Sequence, residues 1–309
     1  RYTSSDYYLN DDDTKRRWDG YDATSQTDVA LEFITAADED DRPFALVVSW
    51  GPPHNPYRDL PNEYLKLYPI EEAEVRPNCE TPSKEDLSGY YAHVTALDHE
   101  LGRIQNLLEQ KGLMENTVFI YTSDHGDMVG SQGEQRKQKP WDESIRVPFV
   151  IRCPGQHKKG VTVNKPINMV DHMPTLLSFS GIDIPESVEG RNVSGLFTGH
   201  EPDGDDVALT MCIAPFGEYT GLPWRGVHTT RYTYTRRLDG PWLLFDNETD
   251  PNQLHNLIDQ PEYAPLQAEL ESYLTRLLEE RADPFKPAQY YLDKWGCEVN
   301  EKGTIPYTN

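Results

Sequence analysis

The stretch that most constrains this chain is Thr117-Val118-Phe119-Ile120-Tyr121-Thr122-Ser123. A run of β-branched and aromatic residues predicts a buried strand. It breaks at Ser123-Asp124-His125-Gly126-Asp127, a polar turn containing glycine. Open α/β sheets bind ligands at the carboxyl ends of parallel strands, where such a turn would set its side chains. An adjacent carboxylate and imidazole there can share one cation, or the carboxylate can orient the ring. Asp127 is either an outer partner of that pair or a solvated turn carboxylate. The segment continues through Gly130 and Gly133 to Lys137, Asp142 and Arg146-Val147-Pro148, then enters a second apolar run, Phe149-Val150-Ile151.

Around this feature strand and helix alternate. Thr27 reads as the cap of a helix reaching about Ala36, followed by a strand over 44–50 and a proline-rich loop carrying His54. Val94, Leu97, Leu101, Ile104 and Leu108 recur at helical spacing, and Lys111-Gly112 supplies a helix stop. Strands over 117–122 and 147–152 and a helix over 171–180 follow. Such alternation argues for a parallel sheet with helices on both faces. Near residue 200 the pattern changes: residues 199–206 are polar and acidic, and beyond them lie short strands over 207–212, 224–228, 232–236 and 242–245. A last helix over 262–281 carries Leu266, Leu270, Leu274 and Leu277 as an apolar stripe. These features divide the chain into an α/β domain over 1–205 and an antiparallel-sheet-plus-helix subdomain over 206–309.

Charge narrows the partners. With 29 basic and 52 acidic residues the net charge is −23, which argues against nucleic acid, since phosphate binding needs a basic face. A local basic patch for an anionic ligand would have to come from Arg136, Lys137, Lys139, Arg225 and Arg231. No apolar run approaches the length of a membrane span. The 4 cysteines are widely spaced without a Cys-x-x-Cys pair, so zinc is not indicated.

Larger blocks carry a resemblance. Ser123-Asp124-His125-Gly126-Asp127-Met128-Val129-Gly130 is followed by Lys137, five positions before Asp142, and then Ser144-Ile145-Arg146-Val147-Pro148. Upstream stand Gly51-Pro52-Pro53-His54-Asn55-Pro56-Tyr57 and Tyr90-Tyr91-Ala92 with Asp98 and Gly102. Downstream stand Val170-Asp171-His172-Met173-Pro174-Thr175, Glu189-Gly190-Arg191, Arg225-Gly226-Val227-His228-Thr229 and Leu244-Phe245-Asp246. In this order, over nearly the whole chain, the blocks resemble the sulfatase family of the alkaline-phosphatase-like superfamily.

The resemblance implies an alkaline-phosphatase-like α/β sheet with flanking helices and a small C-terminal antiparallel α+β subdomain. It implies a sulfuric ester hydrolase acting on a sulfated carbohydrate or small sulfate ester, located in the periplasm, the lysosome or outside the cell. Asp124 and His125 correspond to the metal pair, with Ca2+ expected and Mn2+ or another divalent transition metal as the alternative. Imidazole is a poor calcium ligand, so contact of His125 with sulfate stays open. His54 corresponds to the proton donor for the leaving alcohol and Lys137 to the cation on the sulfate oxygens. Lys139 is the rival, but stands only three positions before Asp142. Trp224, Arg225 and His228 correspond to a segment at the mouth of the site and are expected to touch substrate.

One family feature is absent from these residues. Sulfatases carry, further upstream, two metal-binding aspartates and a Cys/Ser-x-Pro-x-Arg motif whose first residue becomes formylglycine, the nucleophile. Cys79-Glu80-Thr81-Pro82-Ser83-Lys84 imitates that motif with one residue too many and a terminal lysine. These 309 residues are therefore expected to be the C-terminal two-thirds of a sulfatase, inactive alone, with the nucleophile on an upstream segment of the same protein. The alternatives are a phosphodiesterase or phosphonate monoester hydrolase of the same superfamily, and a non-catalytic remnant that binds sulfated glycans.

Overall fold

A helix of 27 residues organises the first part of the chain. The computed structural model describes residues 1–39, 42–153, 160–198, 206–213, 222–301 and 305. They form two compact units, the first comprising 1–119 and 129–134, the second 120–128 and 135–309. The boundary expected at 205/206 abuts residues 199–205, which lie outside the described set.

In the first unit, strands β1 (Asp6–Leu9) and β2 (Asp12–Arg17) form an antiparallel hairpin ahead of helices α1 (Asp22–Asp38), α2 (Asn62–Leu65) and α3 (Lys84–Gln110). The Ser83 hydroxyl caps α3 by accepting the Asp86 N–H at 3.2 Å. The helix ends at Lys111, followed by Gly112 at φ 69°, a left-handed stop that glycine adopts without steric cost. One stretch of α3 buries Ala92, Ala96 and Leu97 with Tyr21, Ala23 and Leu60. The next buries Ile104 and Leu108 against Ile34 and Met114.

Two expectations are corrected here. Helix α1 begins at Asp22, so Thr27 lies inside it, fully buried, its hydroxyl donating to the Ala23 carbonyl at 2.7 Å. Residues 44–50 form no strand: a strand exists only through its ladder, none is formed there, and Val47 is 89% exposed.

In the second unit, β3 (Phe119–Thr122), whose first residue belongs to the first unit, pairs with β4 (Phe149–Arg152), and the short helix α4 (Asp142–Ile145) lies between them in sequence. Helices α5 (His172–Phe179) and α6 (Gly195–Thr198) follow. Strands β5 (Val207–Cys212), β6 (Trp224–Thr229), β7 (Tyr232–Arg237) and β8 (Gly240–Asp246) then form an antiparallel sheet in sequence order. Their register sets Val227 opposite Tyr234 and Tyr234 opposite Leu244. That row packs with Val207 and Leu209 on Leu270, Leu274 and Leu277 of α7 (Ala264–Glu280). Helix α8 (Ala288–Trp295) closes the described elements. The architecture is an α/β fold with a C-terminal antiparallel-sheet subdomain. Among the described residues no helix is long and apolar enough to cross a membrane.

Candidate active site

The turn after β3 is tied down by α4. The Gly126 N–H donates to the Ser144 carbonyl at 2.8 Å. A Cβ on Gly126 would lie 2.0 Å from the Glu143 carbonyl oxygen, so only glycine allows this approach. The buried Ser144 hydroxyl also accepts the Lys139 N–H at 3.1 Å. One residue of α4 thus joins the Asp124-His125 turn to the loop bearing Lys137 and Lys139. In that loop Arg136 and Gln138 sit at φ 61° and 69°, in the left-handed region disfavoured for side-chain-bearing residues.

Asp124 and His125 are brought together. His125 Nδ1–H donates to the Gly126 carbonyl at 2.7 Å, and its Nε2 lies 3.4 Å from Asp124 Oδ2. The Asp124 side chain is 80% exposed. Adjacent oxygen and nitrogen donors, with the ring fixed through its other nitrogen, fit one side of a divalent-cation site. Among the described residues no group of three or more His, Cys, Asp or Glu side chains assembles to complete it.

Behind α4 stands a polar network from the antiparallel sheet. Asp142 Oδ1 accepts from Gln253 Nε2 at 3.1 Å and meets His228 Nε2 at 3.2 Å. The Asp142 N–H donates to Gln253 Oε1 at 3.0 Å. Burial acts to raise the Asp142 pKa, but the hydrogen bond and charge of His228, with help from Arg146, outweigh it and hold it below the ordinary carboxylate value. Gln253 is buried at φ 54° and was not singled out by sequence, since nothing local marks a loop glutamine as a partner of α4.

The three residues expected to touch substrate divide. Trp224 is buried, and its indole N–H donates to the Gln138 carbonyl at 3.0 Å. Arg225 is 0% exposed, bonded to both Asp283 oxygens at 2.5 and 3.2 Å and to Tyr291. Its charge is committed inside the subdomain, which removes it from the expected basic patch. Arg231 is likewise engaged, bidentate on Asp246 at 2.9 and 2.6 Å. His228 keeps 17% of its side chain exposed.

His54 belongs to the first unit. Its Nδ1–H donates to the Asn55 carbonyl at 2.9 Å, so Nε2 is the nitrogen that would exchange a proton with a substrate. The loop rests on α3, where a Cβ on Gly89 would lie 2.0 Å from the Tyr57 carbonyl oxygen. The described cysteines are all free thiols.

A family model described as Sulfatase matches residues 1–182, and one described as N-sulphoglucosamine sulphohydrolase, C-terminal, matches 130–280. The chain is 42% identical over 315 residues to an "Ulvan-active sulfatase" of Formosa agariphila, covering 99% of this chain and 62% of that protein. It is 35% identical over 242 residues to an "Endo-4-O-sulfatase" of Bacteroides thetaiotaomicron, covering 70% of this chain and 47% of that protein. The chain thus spans less than two-thirds of either relative. The solved structure of yidJ from Bacteroides fragilis superposes with a TM-score of 0.80 at 29% identity, covering 94% of this chain and 65% of that one.

Proposed function

The chain belongs to the sulfatase family, and on that premise we propose that it is the larger part of a hydrolase that removes sulfate from a sulfated polysaccharide. The observation that carries the reading is the joint anchoring at Ser144 of the Asp124-His125 turn and the lysine loop. A donor pair and a lysine-bearing loop anchored on one scaffold suit an ester whose oxygens gain negative charge as its bond breaks. The relative described as an ulvan-active sulfatase supports a sulfated polysaccharide over a small aryl sulfate as the natural substrate. That substrate class supports a periplasmic or secreted location.

In this reading Asp124 Oδ2 and His125 Nε2 hold a divalent cation, either calcium or a transition metal. When bound, that cation withdraws charge from the sulfate oxygens. The Lys137 ammonium bonds the same ester group and neutralises charge that develops there. His54, with Nδ1–H held by the Asn55 carbonyl, releases its Nε2 proton to the departing alcohol oxygen. The attacking group, a formylglycine hydrate, is assigned to a segment outside these 309 residues.

The test uses the full-length protein, with free sulfate measured from a sulfated polysaccharide and from an aryl sulfate. His54→Ala should slow the polysaccharide far more than the aryl ester, since an activated phenol leaves without a proton. Lys137→Ala should slow both. Alcohol release from phosphodiesters or phosphonate monoesters that outpaces sulfate release would overturn the reading.

A further inference from the structure

Helix α3 carries a buried imidazole on the face that supports the His54 loop. His93 is 0% exposed. Its Nδ1 lies 2.8 Å from the hydroxyl of Tyr21, and its Nε2 lies 3.4 Å from the carbonyl oxygen of Pro56. A carbonyl only accepts, so Nε2 bears the hydrogen and Nδ1 accepts from Tyr21. Tyr2 stands edge-on to the same ring at 5.4 Å between centroids, and its hydroxyl donates to the Gly51 and Asn55 carbonyls at 3.2 and 3.4 Å. A Cβ on Gly51 would come within 2.7 Å of the Tyr2 ring, so loop and ring are in close contact. One turn before His93 on α3, Gly89 admits the Tyr57 carbonyl against the helix.

Three carbonyls flanking His54, those of Gly51, Asn55 and Pro56, are therefore bonded by Tyr2 and by the buried His93 that Tyr21 orients. Burial lowers the His93 pKa to about 4, against the opposing pull of the Pro56 carbonyl and Asp59. The ring is thus neutral at physiological pH and keeps the single tautomer this relay needs. A buried histidine that shuttled protons would need a path to solvent or substrate, whereas both nitrogens here end on protein atoms.

We propose that His93, oriented by Tyr21, is a positioning residue that sets the backbone of the 51–57 loop and so aims the His54 imidazole. The proposal rests on the reading of His54 as proton donor, and its reach is leaving-group selectivity. Loosening the loop should impair only the step that needs a well-aimed proton.

The experiment replaces His93 with Leu and with Gln in the full-length protein, with His54→Ala as reference. His93→Leu should lower kcat roughly tenfold on a sulfated sugar and change aryl sulfate turnover by less than about threefold, copying the pattern of His54→Ala. His93→Gln, whose amide can donate to Pro56 and accept from Tyr21, should recover most of the loss. Should His93→Leu fail to fold, Tyr21→Phe removes only the hydroxyl that orients the ring and carries the same expectation. Equal losses on both esters beside a selective His54→Ala, or no loss on either, would overturn the proposal. Hydrogen exchange separates it from the reading beneath it. The amides of His54 and Asp59, bonded to the Gly51 and Pro56 carbonyls, should exchange about tenfold faster in the Leu variant. That result with an unselective His54→Ala would remove the proton-donor reading and keep the positioning, whereas unchanged exchange would remove the positioning itself.

Discussion

The indole N–H of Trp224 donates to the Gln138 carbonyl across 3.0 Å, so a strand of the C-terminal sheet holds the backbone between Lys137 and Lys139. Gln138 sits at φ 69°, a conformation that needs outside support in a non-glycine residue. Trp224→Phe keeps the ring's burial and removes the donor. It should cost about 1 kcal/mol in a denaturant melt, the usual net contribution of one hydrogen bond. It should lower kcat about tenfold with little change in KM, because the Lys137 loop is misplaced rather than lost. An unchanged kcat in a folded Trp224→Phe protein would disconnect the sheet from the lysine loop.

Gly126 offers a sharper probe. Its approach to Glu143 leaves no space for a methyl group, and its N–H is committed to Ser144. Gly126→Ala should push the Asp124-His125 turn off α4, destabilising the protein by about 1–3 kcal/mol, as overpacking commonly does. Divalent-cation affinity should weaken about 10- to 100-fold, the range seen when support of a ligand is lost. Gly112→Ala, in open space at the end of α3, is the control: it should cost stability through its positive φ and leave cation affinity unchanged.

What could be read from the sequence was whatever local chemistry determines. Helix α3 was legible in its apolar period and at its end, where Gly112 stops it. The start of α1 was not, because a threonine that favours caps also bonds back to the carbonyl one turn earlier inside a helix, as Thr27 does with Ala23. The β1–β2 hairpin has no apolar alternation; it is held by Asp6 facing Lys15 and Arg17 and by the Tyr7–Trp18 stack at 3.7 Å. Within the site, Asp124, His125 and Lys137 stood out because a strand end and fixed spacings mark them. The burial of Arg225 depends on Asp283, 58 positions away, and that of His93 on Tyr21, 72 positions away. Contacts of that range leave no local trace.

The cation site yields a quantitative expectation. Calcium takes six to eight oxygens, roughly, in its protein sites, whereas Asp124 and His125 offer one carboxylate and one imidazole. Calorimetric titration of the 309-residue chain should give a calcium Kd weaker than about 0.1 mM, outside the range of sensor sites. Asp124→Asn should weaken it further. Submicromolar binding would mean that these residues hold a full ligand set. Tighter binding of Mn2+ than of Ca2+ would identify His125 as a ligand, since nitrogen donors favour transition metals.

His93 also gives the protein a built-in acid sensitivity whose sign can be worked out. Burial lowers its folded-state pKa to about 4 from the 6.5 of an exposed imidazole. Below 6.5 the unfolded chain takes up a proton that the folded chain refuses, so stability falls as pH drops through this window and levels off below the folded value. The slope is about 1.4 kcal/mol per pH unit at its steepest. The carboxylates act lower: Asp246, held at about 2 by its hydrogen bond to Arg231, contributes stability that disappears only as pH falls from the ordinary 3.8 toward 2. Denaturant melts of wild type and His93→Gln between pH 7.5 and 4.5 should therefore diverge in slope, the variant losing roughly 2 kcal/mol less over the range. Parallel curves would mean that His93 is protonated in the folded protein, with Pro56 and Tyr21 both accepting from its ring.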